Sequence, residues 1–323
     1  MKKINVLSLF DGIACGQIAL ERAGIPVGTY YASEIDSYVI EITQKNYPNT
    51  IQLGDVTHID FTQFEGKIDL IMGGSPCQDL SIAGKRAGLQ GERSGLFYKF
   101  VEALSVIKPR YFLFENVASM KQEDKDKITQ LLGVEPILIN SALVSAQQRK
   151  RLYWTNIPNI TQPEDKHIYL ENIVEPDTLI DRDKSHAILT SIGNTTGREY
   201  FKKNQGQLVY IAIMLSNIYG GFQEKKPRVK VDKSFCIRTA RGGGHIPSLI
   251  IEGKTKEISL ENFKQCIRKV TPLECERLQT LPDNYTAYGV NGKISNTQRY
   301  KCIGNGWTVD VIAHIFSFLK ENL

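Results

Sequence analysis

The sequence lacks closely spaced cysteine pairs. Its six cysteines are scattered over 323 residues, and no Cys-x-x-Cys pair occurs among Cys15, Cys77, Cys236, Cys266, Cys275 and Cys302. This distribution indicates neither a zinc site nor a disulfide framework. The five histidines are equally dispersed and show no spacing typical of metal ligands. We therefore expect a protein that binds no metal.

Long apolar runs are also missing. No run approaches the ~18 residues that a membrane-spanning helix needs, so we expect no membrane contact. Asp11 follows the first apolar residues too early for the core of a signal peptide. The hydrophobic content of 41% and the charged content of 23% are ordinary for a globular protein. Together these features predict a cytoplasmic protein.

The dinucleotide-binding fingerprint Gly-x-Gly-x-x-Gly is absent from the turn after the first predicted strand. That turn contains Gly12 and Gly16, and glycine lets a backbone approach a ligand closely. Glu34 ends the second predicted strand, where a carboxylate can accept hydrogen bonds from both ribose hydroxyls. A pyrophosphate cradle, and with it a nicotinamide dehydrogenase, is therefore not favoured. A nucleoside-like cofactor and an ordinary turn beside a surface acid both fit this pair of features.

Strands alternate with helices from residue 4 to residue 157. Short apolar runs such as residues 111–114 predict buried strands, and amphipathic stretches such as residues 95–107 predict helices that pack on them. No helical pattern separates the last two predicted strands, residues 137–144 and 151–157. We predict an α/β fold with a doubly wound, mostly parallel, Rossmann-like sheet and an antiparallel edge hairpin.

The pattern changes after Pro158. Residues 159–266 lack the strand–helix alternation and predict a small, irregular lobe of loops and short strands. Helical patterning returns in residues 267–323, with a final helix predicted over residues 304–319. We expect this last segment to return to the first domain, residues 1–158.

The net charge of +5 is too small to indicate a polyanionic partner by itself, but it is unevenly distributed. Residues 198–241 contain ten Lys and Arg residues against three Asp and Glu residues. A solvated basic face and a surface that binds nucleic acid both fit this composition.

One stretch joins a buried strand to a cysteine. An apolar run up to Met72 leads into Gly73 and Gly74, and Pro76 and Cys77 follow. In a parallel sheet this order places Cys77 at the carboxyl edge, where doubly wound folds bind ligands. A structural cysteine under a Gly-Pro turn explains the same residues equally well.

Three charged residues are predicted to converge on Cys77. Glu115 lies at the carboxyl end of a neighbouring strand, and Arg149 and Arg151 enter the edge strand on the same side. A cysteine, a carboxylic acid and a guanidinium group can grip a pyrimidine ring, because they can attack C6, protonate or hydrogen-bond N3 and hold O2. A surface ion-pair cluster explains each charged residue separately.

Six ordered motifs of this sequence resemble those of DNA cytosine-5 methyltransferases. The resemblance covers about residues 4–158 and 267–320 and leaves the middle lobe unmatched. Residues 8–14 are most similar to the catalytic domain of the mammalian de novo enzymes, and residues 83–86 to bacterial or phage restriction-modification enzymes. The motifs are Phe10-Asp-Gly-x-x-x-Gly16, Ser75-Pro-Cys-Gln-Asp-Leu-Ser81, Glu115-Asn-Val117, Gln147-x-Arg-x-Arg151, Thr271-Pro-x-Glu-x-x-Arg-Leu-Gln279 and Gly304-Asn305.

The resemblance implies the roles of these residues in base-flipping cytosine-5 methylation. Cys77 is the nucleophile that adds to C6 of cytosine, Glu115 acts at N3, Arg151 holds O2, and Arg149 supports Arg151. S-adenosyl-L-methionine donates the methyl group, and the residues implied to bind it are Phe10, Asp11, Gly12, Ile13, Gly16, Glu34, Ile35, Asp55, Val56, Pro76, Leu96, Asn305 and Trp307.

The resemblance also implies double-stranded DNA as the partner. The middle lobe, residues 159–266, would read base edges while its basic residues hold phosphates. We further expect a monomer, with a cognate restriction endonuclease as a possible companion. The residues implied to contact DNA are Gln78, Ser81, Lys85, Arg86, Arg238, Thr239, Arg241 and Gly243.

Two alternatives share this architecture. A tRNA cytosine-5 methyltransferase typically carries a Cys-Phe-Thr tripeptide in the target lobe, and this sequence contains none. A catalytically silent DNA-binding relative would have lost its reactive residues, whereas Cys77, Glu115 and Arg151 are all present. Both observations favour an active DNA methyltransferase.

Overall fold

The computed structural model describes most of the first 176 residues and the C-terminal segment. The described residues are 2–75, 96–176, 178, 180, 182–188, 190, 207–210, 213–219, 228–229, 245–251, 254–257 and 267–320.

The N-terminal half contains alternating strands and helices. They are β1 (Ile4–Leu9), α1 (Cys15–Arg22), β2 (Val27–Ser33), α2 (Ser37–Asn46), β3 (Ile51–Gln52), β4 (Leu70–Gly73), α3 (Phe97–Ile107), β5 (Tyr111–Val117), α4 (Gln122–Leu132), β6 (Ile137–Asn140), β7 (Gln147–Gln148), β8 (Lys150–Thr155) and β9 (Ser185–His186). Short 3₁₀ turns cover Val56–His58, Phe61–Phe64, Ser141–Leu143 and Leu170–Asn172.

The remaining elements are short strands followed by three helices. They are β10 (Leu208–Tyr210), β11 (Ile213–Tyr219), β12 (Arg228–Val229), β13 (His245–Ile251), β14 (Lys254–Glu257), β15 (Ile267–Lys269), α5 (Pro272–Leu278), β16 (Tyr288–Gly289), β17 (Gly292–Lys293), α6 (Asn296–Asn305) and α7 (Val309–Lys320).

A seven-stranded sheet organises the first half in the order β3-β2-β1-β4-β5-β8-β6. The pairs from β3 to β5 are parallel, whereas β8 lies antiparallel between β5 and β6. The prediction of a doubly wound, mostly parallel sheet with an antiparallel pair at one edge is confirmed. Because the parallel strands all end at the same edge, the turns that follow them are brought together there.

Successive side chains of a strand point to opposite faces of the sheet, and helices bury both faces of this one. Val6 belongs to the core cluster that contains α1 and α7, whereas Leu7 and Leu9 belong to the cluster that contains α3 and α4. The second cluster is rich in aromatic rings, and the Phe114 ring centroid lies 4.9 Å from that of Phe100.

The predicted C-terminal helix over residues 304–319 is wrong in its bounds. Residue 304 belongs to α6, which begins at the N-cap Ser295, and α7 begins only at Val309. Gly306 ends α6 in an extended conformation, with φ −67° and ψ 162°. The apolar residues that predict the helix, from Val309 to Leu319, all lie in α7, so the pattern sets its C-terminal part and not its start.

The predicted strand over residues 137–144 is too long for a local reason. It ends at Asn140, whose side-chain oxygen accepts hydrogen bonds from the backbone N–H groups of Ala142 and Arg149. Side chains of this type compete with strand pairing by capping turns. Residues 141–143 therefore form a 3₁₀ turn.

One described stretch, Asn296–Lys320, is long and apolar enough to cross a membrane by length and composition alone. It is broken into α6 and α7, and 61% of its most apolar part is buried inside the protein. Helices in the core of a soluble protein have the same length and composition.

In the middle of the chain, β12, β11, β13 and β14 form an antiparallel sheet in that order.

Candidate active site

The carboxyl ends of four parallel strands meet at one edge of the sheet. Leu9 at the end of β1 pairs with Ser33 of β2 and with Gly73 of β4, and Gly73 pairs with Phe114 of β5. The residues that the sequence singled out lie at or just after these strand ends, and Glu115 belongs to β5 itself, which continues to Val117 rather than ending at the predicted residue 114. The edge therefore brings the glycine turn, the acid Glu34 and the acid Glu115 into one neighbourhood.

The glycine turn, residues 10–14, has an unusual backbone. Phe10, Gly12 and Ala14 have φ values of 58°, 61° and 56°. Among the described residues, no atom beyond its two chain neighbours lies within 4 Å of the position that a Cβ of Gly12 would occupy, so this part of the turn faces away from the described chain. The hydroxyl of Tyr285 donates to the Ile13 carbonyl at 2.9 Å and supports the turn from the C-terminal segment.

Asp11 lies under this turn with a buried carboxyl group. Its Oδ1 accepts a 2.6 Å hydrogen bond from the Tyr30 hydroxyl, and its buried Oδ2 has no hydrogen-bond partner in the part of the chain that the structure describes. Burial raises the pKa of Asp11 to about 7, and the neighbouring charge of Glu34 adds to this rise. A carboxyl group without full hydrogen bonding in a dry environment favours its neutral form.

Glu34 fixes the geometry beside the turn. One of its oxygens accepts from the Gly12 N–H at 3.0 Å, and the other accepts from the N–H groups of Ile35 and Asp36 at 2.8 and 3.0 Å. The Ile35 side chain is 73% exposed, although it is large and apolar. An exposed apolar side chain beside an ordered carboxylate fits a nucleoside, which presents a flat base and two ribose hydroxyls.

Asp55 and Val56 lie on the turn after β3. The Asp55 carboxylate accepts from the N–H and the hydroxyl of Thr57, and these hydrogen bonds lower the pKa of Asp55 below its ordinary value. The Val56 side chain is buried in the core. Only the Val56 backbone can therefore be offered to a ligand.

Close packing requires a glycine at position 16, which the sequence did not reveal. A Cβ at Gly16 would lie 2.4 Å from Met72 Cε and 3.5 Å from Trp307 Cζ3. The absence of a side chain makes room for the buried Met72 and for the edge of the indole ring.

Glu115 forms the centre of the second half of the site. Its Oε1 lies 2.9 Å from Arg151 Nε, and its Oε2 accepts a 3.0 Å hydrogen bond from Trp307 Nε1. Glu115 is 9% exposed, so this ion pair is largely screened from water. Gly74 lies directly beside it, because a Cβ there would be 2.9 Å from Glu115 Oε2.

The described chain reaches the edge of the cysteine loop. Asn116 Nδ2 is 3.4 Å from both the carbonyl and the hydroxyl oxygen of Ser75. Ser75 is therefore placed next to Glu115, two positions before Cys77 in the chain. The predicted site residues that lie outside the described residues are Pro76, Cys77, Gln78, Ser81, Lys85, Arg86, Arg238, Thr239, Arg241 and Gly243.

Arg149 does not accompany Arg151 to Glu115. Its guanidinium group donates to the carbonyl oxygens of Ile188 at 2.9 Å, Gly306 at 3.1 Å and Gly304 at 3.4 Å. Arg149 is buried. These contacts hold Arg149 beneath the site. The alternation of side chains along the strand had instead predicted that Arg149 and Arg151 point to the same side.

A buried polar network, which the sequence analysis missed, joins the edge strands to the C-terminal segment. Gln147 Nε2 donates to Gln279 Oε1 at 2.8 Å, and Gln279 Nε2 donates to the carbonyl oxygens of Ile303 and Gly306. The Thr308 hydroxyl donates to Gln279 Oε1 at 2.9 Å. The only signal in the sequence was that both glutamines stand within motifs.

The other predicted cofactor residues differ in their exposure to solvent. Leu96 is half-buried just before α3, Asn305 is exposed at the end of α6, and Trp307 is half-buried between the two halves of the site.

Within the described ranges, no group of three or more His, Cys, Asp or Glu side chains could hold a metal ion.

Comparison with known proteins agrees with this geometry. The family model described as C-5 cytosine-specific DNA methylase matches residues 4–321. The type II methyltransferase M.NlaX of Neisseria lactamica is 26% identical over 327 residues, which cover 99% of this chain and 97% of that protein. The orphan methyltransferase M.Rho11sI of Bacillus phage rho11s is 34% identical over 165 residues, which cover 47% of this chain and 33% of that protein.

A solved structure confirms the fold at low sequence identity. The methyltransferase EhMeth of Entamoeba histolytica superimposes with a TM-score of 0.68 and 16% identity, over 100% of this chain and 99% of that one.

Proposed function

Since the chain belongs to the C-5 cytosine-specific DNA methylase family, we propose that it methylates C5 of a flipped-out cytosine in a specific sequence of duplex DNA. Enzymes of this family use S-adenosylmethionine as the methyl donor. The observation that carries the proposal is the placement of Glu115. Its carboxylate is held by Arg151 and Trp307 at the edge where the described chain leads through Ser75 towards Cys77.

In the proposed reaction the Cys77 thiolate adds to C6 of the base. The electron pair of the C5–C6 double bond moves towards C4 and the C4–N3 π pair moves onto N3, where Glu115 supplies a proton or a hydrogen bond while Arg151 holds O2. The resulting enamine would make C5 nucleophilic, so C5 would accept the methyl group of S-adenosylmethionine, which would leave as S-adenosylhomocysteine. Transfer of the C5 proton to a base would then expel Cys77 as the free thiolate and restore the C5–C6 double bond.

The chain's own residues provide a fitting place for the donor. Gly12 faces away from the described chain at the turn, Glu34 presents a carboxylate at the end of β2, and Ile35 presents an apolar surface beside it. We propose that Glu34 binds the ribose hydroxyls and that Asp55 binds the adenine amine. Leu96, Asn305 and Trp307 would close the site over the donor.

Duplex DNA is the proposed substrate because of both family membership and composition. A thiol at the sheet edge cannot reach a stacked base, so the cytosine must leave the helix. The basic stretch 198–241 offers charge for the phosphates, and Arg238 and Arg241 are the proposed base-reading residues. The absence of a Cys-Phe-Thr tripeptide argues against tRNA.

Bisulfite sequencing tests the substrate and the nucleophile together. Plasmid DNA and total tRNA are recovered from cells that express the wild-type chain or the Cys77→Ser variant, and both nucleic acids are converted and sequenced. We expect resistant cytosines at one short DNA motif in the wild type only. Methylation of tRNA alone would contradict the proposed substrate, and methylation that persists in Cys77→Ser would contradict the proposed covalent adduct.

A further inference from the structure

The two oxygens of Glu115 have different partners from distant parts of the chain. Arg151 comes from the adjacent strand β8 and approaches Oε1, whereas Trp307 comes from the turn between α6 and α7 and donates to Oε2. Each contact is within normal hydrogen-bond distance. Both oxygens of the carboxylate are thus held in place before any base enters the site.

Trp307 is itself held firmly. The carbonyl oxygen of the preceding residue, Gly306, accepts hydrogen bonds from Arg149 Nη2 at 3.1 Å and from Gln279 Nε2 at 3.0 Å. The following residue, Thr308, donates its hydroxyl proton to Gln279 and accepts from the Ser141 hydroxyl at 2.9 Å. Because these partners are buried, the backbone on either side of the indole ring has little freedom to move.

The indole ring also borders the glycine turn. Its Cζ3 lies 3.5 Å from the position that a Cβ of Gly16 would occupy, while its Nε1 reaches Glu115. One side chain therefore lies beside Gly16 at the start of α1, just after the turn assigned to the methyl donor, and donates a hydrogen bond to the acid assigned to the base.

We propose that Trp307 is a positioning residue for Glu115: its indole N–H holds Oε2 so that the carboxyl group faces N3 of the target base. This inference rests on the proposed role of Glu115. A group that acts on a proton must lie within hydrogen-bond reach of it, and a misplacement of about 1 Å can cost on the order of a hundredfold in rate. The edge of the ring lies beside Gly16, and the N–H holds the acid.

Trp307→Phe separates these two roles because phenylalanine keeps an aromatic ring and lacks the N–H donor. We expect kcat to fall about tenfold, the effect of losing one hydrogen bond to a charged group. The KM for DNA and the Kd for S-adenosylhomocysteine should stay within about twofold, because the contacts that bind both ligands remain. A purely structural role would change binding and rate together.

The chain offers a matched control, since it contains two tryptophans. Trp154 donates its indole N–H to Thr129 Oγ1 at 2.9 Å in the aromatic core cluster, away from Glu115. Trp154→Phe removes an equivalent hydrogen bond and should leave kcat unchanged. It also leaves Trp307 as the single tryptophan, so its fluorescence reports cofactor binding directly.

A double-mutant cycle completes the test. In single-turnover reactions on duplex DNA, Trp307→Phe should have no further effect in a Glu115→Gln background, because it acts through that carboxylate. Additive losses would overturn the inference, as would an unchanged kcat in Trp307→Phe. Wild-type protein that fails to methylate DNA would instead contradict the proposed function.

Gly74→Ala provides a second variant if Trp307→Phe does not fold. Its Cβ would lie 2.9 Å from Glu115 Oε2 and 3.3 Å from Trp307 Nε1, so it should separate the two groups without altering the ring. The same selective loss of kcat is expected. Full activity in Gly74→Ala would contradict the need for this hydrogen bond.

Discussion

The buried carboxyl group of Asp11 should make the stability of this protein depend on pH in a specific window. Its pKa is raised by burial from 3.8 to about 7 in the folded chain, whereas the unfolded chain retains the ordinary value. The folded state therefore binds more protons than the unfolded state between these two pH values. The stability that Asp11 contributes is fully present below about pH 4 and is lost as pH rises to about 7.

The magnitude follows from the width of this window. One pKa unit corresponds to about 1.4 kcal/mol, so the full shift corresponds to about 4 kcal/mol. Between pH 5 and pH 8, the range in which most proteins can be handled, roughly 2–3 kcal/mol of this should be lost. Tyr30, which donates to Asp11, does not titrate in this range because burial raises its pKa well above 10.

The measurement compares wild type with Asp11→Asn by urea denaturation at several pH values. The amide cannot ionise, so the variant should gain roughly 2–3 kcal/mol relative to wild type between pH 5 and pH 8. Any fixed cost of placing an amide at the buried Oδ2 position cancels in this comparison. The matched control is Asp60→Asn, because Asp60 is exposed and hydrogen bonds from Thr62 lower its pKa.

Parallel stability curves for wild type and Asp11→Asn would refute this reasoning. They would mean that water reaches Oδ2 in solution and that the carboxyl group ionises in the ordinary range.

Three further substitutions test the supports of the site. Arg149→Lys should lower the free energy of unfolding by about 2–3 kcal/mol, since a single ammonium group cannot span three buried carbonyl oxygens; an unchanged urea midpoint would contradict this. Thr271→Ala should cost about 1 kcal/mol because it opens the capping box with Glu274, and a thermal unfolding curve equal to wild type would count against it. Gly16→Ala should cost about 1 kcal/mol by crowding Met72, and adding Met72→Val should restore stability; no recovery in the double variant would argue against this contact.

The sequence predicts most of the sheet because its signals are local. The helix predicted over residues 95–107 is present as α3, Phe97–Ile107. Gly133 ends α4 in the left-handed conformation that glycine favours. Glu34 directly follows β2, and Glu115 follows the apolar run 111–114 within β5, so both acids could be placed at one edge. Such features depend on neighbours a few positions apart in the chain.

Contacts between distant residues could not be predicted in the same way. The Trp307–Glu115 hydrogen bond joins residues 192 positions apart, and Gln147 meets Gln279 across 132 positions. Arg149 illustrates the limit, because alternation gives the side of a strand on which it lies but not the carbonyl oxygens that it reaches. Those carbonyl oxygens belong to Ile188 and to the end of α6.

The C-terminal segment therefore takes part in the site as well as in the core. Tyr285 supports the glycine turn, Trp307 holds Glu115, and Gln279 joins the edge strands to the turn that carries the tryptophan. Both halves of the site, the one assigned to the methyl donor and the one assigned to the base, need a residue of this C-terminal segment. Residues 185–188 also reach these supports, because β9 pairs with β7 and the Ile188 carbonyl accepts a hydrogen bond from Arg149. The supports of the site are therefore drawn from three separate parts of the described chain.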